Sequence, residues 1–267
     1  MRHTISIDKT DLQHLYVDLD KTTYEIAEMF HCQRRTISRK LKKFSIPIRR
    51  HKRKYSSYYE QKLNNKQKEL IYGSLLGDGH VAKHHEGVNS CRFVEKHSIK
   101  QHEYLLEKVN ILRNFISSEV RIIDNSKNKS FSNGLSCEFQ TVLHKEFIPF
   151  REMFYCYGYK KIPYFELKPF SLAIWYFDDG SIDTSRKNQK FVATFHTEDF
   201  DHESIEVCQQ MLSDFFGIDS FVVCYKKKYN LIRLNSQSTK KLLDIVRTYP
   251  MPSMGYKLAN NPVETYS

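Results

Sequence analysis

Several protein classes are excluded by what the sequence lacks. Its six cysteines are scattered along 267 residues and no two form a C-x-x-C pair, which argues against a zinc finger and a disulfide framework. The longest apolar run, residues 170–177, is too short to cross a bilayer, and no apolar segment follows Met1. We therefore expect a non-secreted protein of the cytoplasm or an organellar matrix, with free thiols and no membrane partner.

Acidic residues are absent from residues 29–59, and this absence locates the charge of the chain. Eleven of the 42 lysines and arginines lie there, and the 31 that remain equal the number of acidic residues. The net charge of +11 therefore comes from one segment. Such a segment predicts a polyanionic partner, and nucleic acid is the commonest one.

Residues 1–46 predict a small all-α domain of the helix-turn-helix type. Thr22 or Thr23 is placed to cap the second of three short helices, and a tight break at His31 and Cys32 leads into a basic third helix. The residues expected to face inward are Leu12, Leu15 and Leu19 in the first helix, Ile26, Ala27 and Phe30 in the second, and Ile37 and Leu41 in the third.

The third helix and the basic linker after it, residues 47–65, supply the first set of DNA-binding candidates. Arg and Gln side chains can read base edges, whereas lysines such as Lys40, Lys42 and Lys43 are expected to contact phosphates. The alternatives are a solvated basic helix and a disordered basic tether. The candidates are Gln33, Arg34, Arg35, Ser38, Arg39, Lys42, Arg49 and Arg50.

Two stretches of similar pattern each end in an acid followed by glycine. They read LIYGSLLGDG at residues 70–79 and LAIWYFDDG at residues 172–180, and Asp179 lies 101 residues after Asp78. Gly73 and Gly77 are neighbours on one helix face, and each costs about 1 kcal/mol relative to alanine, which a closely packed second backbone would explain. A single copy predicts only a buried helix with a turn. Two copies predict a duplicated unit.

These stretches resemble the two motifs of the LAGLIDADG homing endonucleases, and residues 175–180 resemble the branch that has tryptophan, two residues, Asp-Asp-Gly. The resemblance runs from Lys66 to the C-terminus. It implies an α+β fold, a duplicated αββαββα core with a pseudo-two-fold axis and halves at residues 66–165 and 166–267. Ile174 and Asp178 replace the small residues Gly73 and Gly77 of the first copy, so we expect asymmetric packing of the two motif helices.

The sequence of each half predicts a helix, two strands, a second helix, two more strands and a closing helix. In the first half the closing helix is expected at residues 145–157. In the architecture that the resemblance implies, two four-stranded sheets form a saddle over DNA, and strand alternation places Arg233 and Asn235 on one face. A charged face on a half-solvated sheet is also ordinary. The candidates for DNA contact here are Lys83, Arg92, Lys226, Lys228, Arg233 and Asn235.

The resemblance also implies a catalytic site. Asp78 and Asp179 would hold Mg²⁺ over the two scissile phosphates, with Mn²⁺ or Ca²⁺ as substitutes in a crystal. Gly77 and Asp178 are further candidates for the metal site, although the family register selects Asp179 over Asp178. The resemblance further implies that two lysines lie beside the metals, Lys160 and Lys257, and the K-x-I-P pattern selects Lys160 over Lys161. The two lysines follow the motif acids by similar distances, 82 and 78 residues.

The predicted function is that of a monomeric, Mg²⁺-dependent endonuclease that cuts double-stranded DNA at a specific site and serves intron mobility. One alternative is a catalytically silent DNA-binding regulator, against which both acids and both lysines argue. The other is an RNA maturase that assists splicing, with the host intron RNA as partner. The same basic sheets could bind RNA, so the maturase and nuclease roles are compatible in one chain.

Overall fold

The computed structural model describes residues 7–19, 21–47, 60–83, 90–126, 134–183, 191–226 and 228–258. The chain separates into two compact units, Met1–Ser56 and Ser57–Ser267. Arg49 and Arg50, together with most of the predicted linker, lie outside the described residues. None of the helices in the described ranges is long and apolar enough to cross a bilayer.

The described part of the N-terminal unit contains helices α1 (Lys9–Gln13), α2 (Thr23–Met29) and α3 (Arg34–Lys43). Thr22 caps α2 with a reciprocal pair of bonds to Glu25, as the sequence predicted. The buried core of this unit consists of eight hydrophobic residues, each at most 5% exposed. They are Ile7, Leu12, Tyr16, Ile26, Ala27, Ile37, Leu41 and Ile46.

One residue of the predicted N-terminal core is placed wrongly by the periodicity argument. Leu19 is 52% exposed, and Tyr16 is buried instead. The reason is that α1 continues as a π-helical turn over His14–Asp18, which changes the angular spacing of side chains and ends at Leu19. Propensity and spacing contain no information about such a turn.

The first half of the C-terminal unit contains one four-stranded antiparallel sheet among its described residues, with strand order β1-β2-β4-β3. The closing helix was expected to continue to residue 157, but it ends at Phe154. A short hairpin, β5–β6, follows it. The elements are α4 (Asn65–Leu76), β1 (Gly79–Lys83), β2 (Cys91–Ser98), α5 (His102–Ile111), β3 (Arg121–Asp124), β4 (Leu135–Gln140), α6 (Ile148–Phe154), β5 (Tyr155–Cys156) and β6 (Tyr159–Lys160).

The second half repeats this order, and the predicted duplication is confirmed. Its described strands form a second four-stranded antiparallel sheet with the equivalent order β7-β8-β10-β9. The elements are α7 (Pro169–Asp179), β7 (Gly180–Asp183), β8 (Val192–Phe195), α8 (His202–Phe216), β9 (Ser220–Tyr225), β10 (Tyr229–Leu234), α9 (Ser236–Arg247) and a 3₁₀ segment (Pro252–Leu258).

Helices α4 and α7 carry the two motifs and pack against each other. A β-carbon at Gly73 would lie 2.4 Å from the carbonyl oxygen of Ser171 and 2.7 Å from Cβ of Ile174, and one at Gly77 would lie 2.4 Å from Cβ of Asp178. The two glycines therefore permit the close approach that their spacing predicted. The larger Ile174 and Asp178 fill the space that the glycines leave, and this is the expected asymmetry.

The two motif helices also end differently. Helix α4 ends at Leu76, because Gly77 leaves the helical region with φ −112° and ψ −131°, so Asp78 lies in the turn that precedes β1. Helix α7 continues through Asp179, and β7 starts at the next residue. Both acids are thus held at the junction between a buried helix and the first strand of a sheet.

Candidate active site

Asp78 and Asp179, which come from different halves of the chain, face one cavity. This cavity has a volume of about 310 Å³, and Gly77 and Lys160 line it together with the two acids. The side chain of Asp78 is 41% exposed, whereas Asp179 is half-buried. The helix pairing thus brings together two carboxylates that are 101 residues apart in sequence.

Each predicted lysine contacts the backbone beside the acid of its own half. The Lys160 ammonium donates to the carbonyl oxygens of Gly77 at 3.1 Å and Gly79 at 3.3 Å. The Lys257 ammonium donates to those of Phe177 at 2.6 Å and Asp178 at 3.0 Å. Gly77 and Asp178 directly precede the two acids, so the lysines occupy equivalent positions.

The neighbouring Lys161 has a different place. Its ammonium pairs with Glu203 at 2.8 Å and with Asp201 at 3.3 Å, and almost half of its side chain is exposed. Selecting Lys160 over Lys161 from the K-x-I-P pattern therefore agrees with the contacts of both side chains.

The electrostatics of the cavity favour an added cation. Burial raises the pKa of Asp179 to about 8, and the charges of Asp78 and Asp178 act in the same direction. Burial also lowers the pKa values of Lys160 and Lys257, although the acids oppose this effect. Carboxylate and carbonyl oxygens are the donors that Mg²⁺ and Ca²⁺ prefer. The residues present therefore fit a hard divalent ion.

Asp178, predicted as a further metal-site residue, is held by side chains of the first half. Its side chain is fully buried, and Oδ1 accepts hydrogen bonds from the Tyr104 hydroxyl and the Lys108 ammonium, both at 2.7 Å. Oδ2 has no hydrogen-bond partner among the described residues. Burial raises the pKa of Asp178 to about 6, although Lys108 opposes this.

Sequence reasoning missed the buried charged network behind Asp78. Lys108 contacts Glu95 and donates to Ser74 Oγ at 2.9 Å, and His97 Nε2 lies 2.7 Å from Glu95 Oε1. Burial opposes ionisation of Glu95, but Lys108 and His97 lower its pKa to about 2. A usable pattern was present, because Lys108 lies four residues after Tyr104 and hence on the inward face of α5.

The second half has no counterpart of this network among its described residues. Gly79 pairs with Glu95 across β1–β2, and Gly180 pairs with Phe195 across β7–β8, so Phe195 occupies the position of Glu95. Lys108 and Cys208 are the seventh residues of α5 and α8, and both are fully buried. Apart from Asp178, the residues of the polar network thus come from the first half.

The sheet residues predicted to contact DNA differ in their availability. Lys83, Lys226 and Lys228 are exposed, Arg92 donates to Gln140 Oε1 at 2.7 Å, and Arg233 lies 3.6 Å from Asp183. Asn235 follows the end of β10 and caps α9, because its side-chain oxygen accepts from the Ser238 backbone at 2.7 Å. Its position was expected to serve a sheet face rather than a helix cap.

The DNA-binding candidates on and beside α3 differ in their exposure. Ser38 is half-buried, and Lys40 is engaged internally, because its ammonium donates to the carbonyl oxygen of Ile7 at 3.0 Å. Lys40 is therefore less available to a phosphate than the exposed Lys42 and Lys43, and its contact with phosphate stays a prediction. The exposed candidates are Gln33, Arg34, Arg35, Arg39 and Lys42.

Comparison with known proteins agrees with this architecture. The structure of the homing endonuclease I-WcaI bound to its DNA recognition sequence matches with a TM-score of 0.68 and 23% identity, over 82% of this chain and 98% of that chain. At this identity the match shows the fold.

Similar sequences occur in several curated proteins. The protein RecA of Mycobacterium shimoidei is 30% identical over 205 residues, which is 73% of this chain and 47% of that protein. The DNA endonuclease I-ChuI of Chlamydomonas applanata is 26% identical over 219 residues, 74% of this chain and 96% of that protein. The cytochrome b mRNA maturase bI2 of Debaryomyces hansenii is 28% identical over 215 residues, 76% and 77% of the two chains. The chain spans about half the length of its RecA relatives.

A family model supplies the assignment. The model described as the LAGLIDADG DNA endonuclease family matches residues 68–242, which include both motifs and most of both halves. This match covers more than half of the chain and agrees with the duplicated fold and the paired acids. The chain belongs to the LAGLIDADG DNA endonuclease family.

Proposed function

We propose that the chain is a homing endonuclease that cuts both strands of a specific DNA site as a monomer. The observation that carries this proposal is the shared cavity, which Asp78 and Asp179 line from different halves of one chain. Because each half supplies one acid and one lysine, a single chain has a set of groups for each DNA strand.

The reaction is proposed to depend on divalent metal, Mg²⁺ in the first instance. The carboxylates of Asp78 and Asp179 would hold the ions, and the carbonyl oxygens of Gly77 and Asp178 are the nearest further donors. A bound divalent ion would lower the pKa of water and stabilise the charge that develops on the phosphodiester. The raised pKa of Asp179 supports this role, because a cation is the partner that would keep a half-buried carboxylate ionised.

Lys160 and Lys257 are proposed to place positive charge beside the scissile phosphates. Their ammonium groups are fixed by backbone carbonyls at both motif ends, so they need no reorganisation to face an anionic substrate. Fixed positive charges of this kind stabilise the negative charge that develops on the phosphate in the transition state. The bonds of both ammonium groups described above go to neutral carbonyl oxygens rather than to carboxylates, which leaves their charge available to substrate.

Double-stranded DNA is the proposed partner, held by the two sheets. The cationic residues that we propose as contacts on or beside these sheets are Lys83, Arg92, Lys226, Lys228 and Arg233. The N-terminal unit would extend the recognised site through the exposed residues of α3. I-WcaI, which shares the fold, was solved bound to its DNA recognition sequence.

Cleavage of a DNA library tests the proposal most efficiently, since the fragment ends report activity and target together. Purified chain is incubated with randomised or genomic DNA and Mg²⁺, and the ends are sequenced. We expect ends that cluster at one sequence on both strands. Ends that match those from an Asp78→Asn, Asp179→Asn double variant would contradict the assignment.

A second candidate function, assistance to intron splicing, is favoured by one observation. The maturase of Debaryomyces hansenii is similar over about three-quarters of both chains. The basic sheets that would hold DNA could also bind structured RNA. Splicing of a candidate host intron, measured with and without the protein, tests this role. We expect the double variant to retain any splicing activity, because an RNA-folding role does not require the two acids.

A further inference from the structure

A buried imidazole faces the first motif acid. The side chain of His97, on β2, is fully buried, and its Nδ1 lies 3.3 Å from Asp78 Oδ2 and 3.3 Å from Gln101 Oε1. Its Nε2 lies 2.7 Å from Oε1 of the buried Glu95. An ionised carboxylate only accepts hydrogen bonds, so Nε2 carries the hydrogen that is donated to Glu95. The other ring nitrogen is the one turned toward Asp78.

This order of groups is the one that orients metal-binding histidines in proteins. A ligand imidazole usually donates its second N–H to a carboxylate, which fixes the tautomer and raises the basicity of the ligand nitrogen. Glu95 has that position here, and Lys108 fixes Glu95 in turn. The pair Glu95–His97 therefore presents Nδ1 to the space beside Asp78.

A third donor faces the same space. Asp178 Oδ1 is occupied by Tyr104 and Lys108, but its fully buried Oδ2 has no hydrogen-bond partner among the described residues. Asp78, His97 and Asp178 each have one potential metal-ligand atom that lies within 4.8 Å of those of the other two residues. A β-carbon at Gly77 would lie 2.7 Å from Asp178 Oδ2, so this oxygen lies directly beside the residue that precedes Asp78.

We propose that Asp78, His97 and Asp178 form a mixed nitrogen and oxygen metal site that takes a first-row transition ion, such as Mn²⁺ or Co²⁺, in preference to Mg²⁺. Imidazole nitrogen suits these ions better than it suits Mg²⁺ or Ca²⁺, which prefer oxygen donors. The unpartnered Oδ2 of Asp178 is the independent sign that a cation belongs there, since a buried carboxylate oxygen without a partner is costly.

The site would make the two halves of the protein unequal. In the second half, Phe195 occupies the position of Glu95, and Thr197, two residues later, occupies that of His97. His196, which lines the cavity of Asp78 and Asp179, has both ring nitrogens engaged, with Ser181 Oγ at 3.0 Å and Glu198 Oε1 at 3.0 Å. The nitrogen ligand is thus specific to the Asp78 side.

Pulsed EPR of Mn²⁺ bound to the full chain in the absence of DNA tests the proposal. The wild-type chain should show hyperfine coupling from a directly bound imidazole nitrogen. The His97→Gln and Asp78→Asn variants should lose that coupling, and calorimetry should show Mn²⁺ affinity at this site lowered by about tenfold or more. His196→Gln and Asp179→Asn are the matched controls and should keep the coupling.

Two results would overturn the proposal: wild-type chain with bound Mn²⁺ but no nitrogen coupling, or coupling that persists in His97→Gln. The first measurement needs no variant, so a variant that fails to fold does not weaken the test. Although the site shares Asp78 with the proposed nuclease centre, the measurement requires no cleavage. Absence of DNA cutting together with nitrogen coupling would reject the nuclease and retain the metal site.

Discussion

Gly77 lies directly against Asp178, so that a β-carbon at residue 77 would be 2.4 Å from Cβ of Asp178. The contact joins the residue before one motif acid to the residue before the other. It fixes how closely the ends of the two motif helices approach, and hence the spacing of Asp78 and Asp179. The geometry of the proposed catalytic site is therefore a consequence of helix packing.

Substitution of the other helix glycine tests this packing without changing a residue adjacent to an acid. Gly73→Ala should lower the free energy of unfolding by about 1–3 kcal/mol, because the new methyl group meets the Ser171 carbonyl at 2.4 Å. Urea denaturation measures the change. Gly255→Ala is the matched control, since a β-carbon there has no atom within 4 Å. Equal stability of both variants would show that the helices are not closely packed.

The buried network predicts a large penalty for removing its central cation. Lys108→Met should destabilise the chain by about 3–5 kcal/mol, because Glu95 and Asp178 would lose the charge between them. The exposed Lys161, which also bridges two acids, supplies the control, and Lys161→Met should change stability little. Similar denaturation midpoints for the two variants would contradict the network.

The pKa of Asp179 predicts a pH dependence of stability in the absence of metal. A carboxyl whose pKa is about 8 in the folded chain and near 3.8 when unfolded binds its proton more tightly when folded. Stability from this group is therefore present below pH 4 and is lost as the pH rises toward 8. Asp179→Asn should remove the loss and stabilise the chain at pH 8 by on the order of 2 kcal/mol, after allowance for partial exposure.

Denaturation with EDTA at pH 4.5 and pH 8 measures this difference. The advantage of Asp179→Asn should shrink at the lower pH, and saturating Mg²⁺ should reduce it at the higher pH, because a bound ion stabilises the wild-type carboxylate. The exposed Asp219 is the control position. An Asp179→Asn variant that is no more stable than wild type at pH 8 would show that Asp179 is not held in a costly environment.

Much of the fold could be predicted because the two halves share a pattern of helices and strands. The paired motifs, the order of elements in each half and the Gly73–Gly77 face all follow from local spacing. The π-helical turn after α1 and the hairpin after Phe154 did not follow, because they depend on which backbone bonds the packed structure allows.

The site was predicted less completely, for a physical reason. Asp78, Asp179, Lys160 and Lys257 could be proposed from the sequence because a resemblance and a repeat point to them. The role of Asp178 depends on Lys108, which lies 70 residues before it, and on Tyr104. Long-range partners such as these are fixed only when the halves pack together, so one sequence without its structure does not reveal them.

If α3 contacts DNA phosphates, removing its exposed arginines should change the salt dependence of DNA binding. Each phosphate contact contributes about −0.9 to the slope of log K against log salt concentration, so Arg35→Ala with Arg39→Ala should reduce the slope by up to about 1.8. Lys40→Ala is the matched control within the same helix, because Lys40 donates to Ile7. If the double variant has the slope of wild type, α3 does not contact DNA.

The most direct measurement is Mg²⁺-dependent cleavage of the selected DNA target by wild type, Asp78→Asn and Asp179→Asn, with binding measured in parallel by gel shift. We predict that each substitution abolishes double-strand cutting and leaves the dissociation constant for DNA within about tenfold of wild type, because the acids act on the reaction rather than on the complex. Double-strand cutting at wild-type rate by either variant would contradict the central claim that these two acids form the catalytic site.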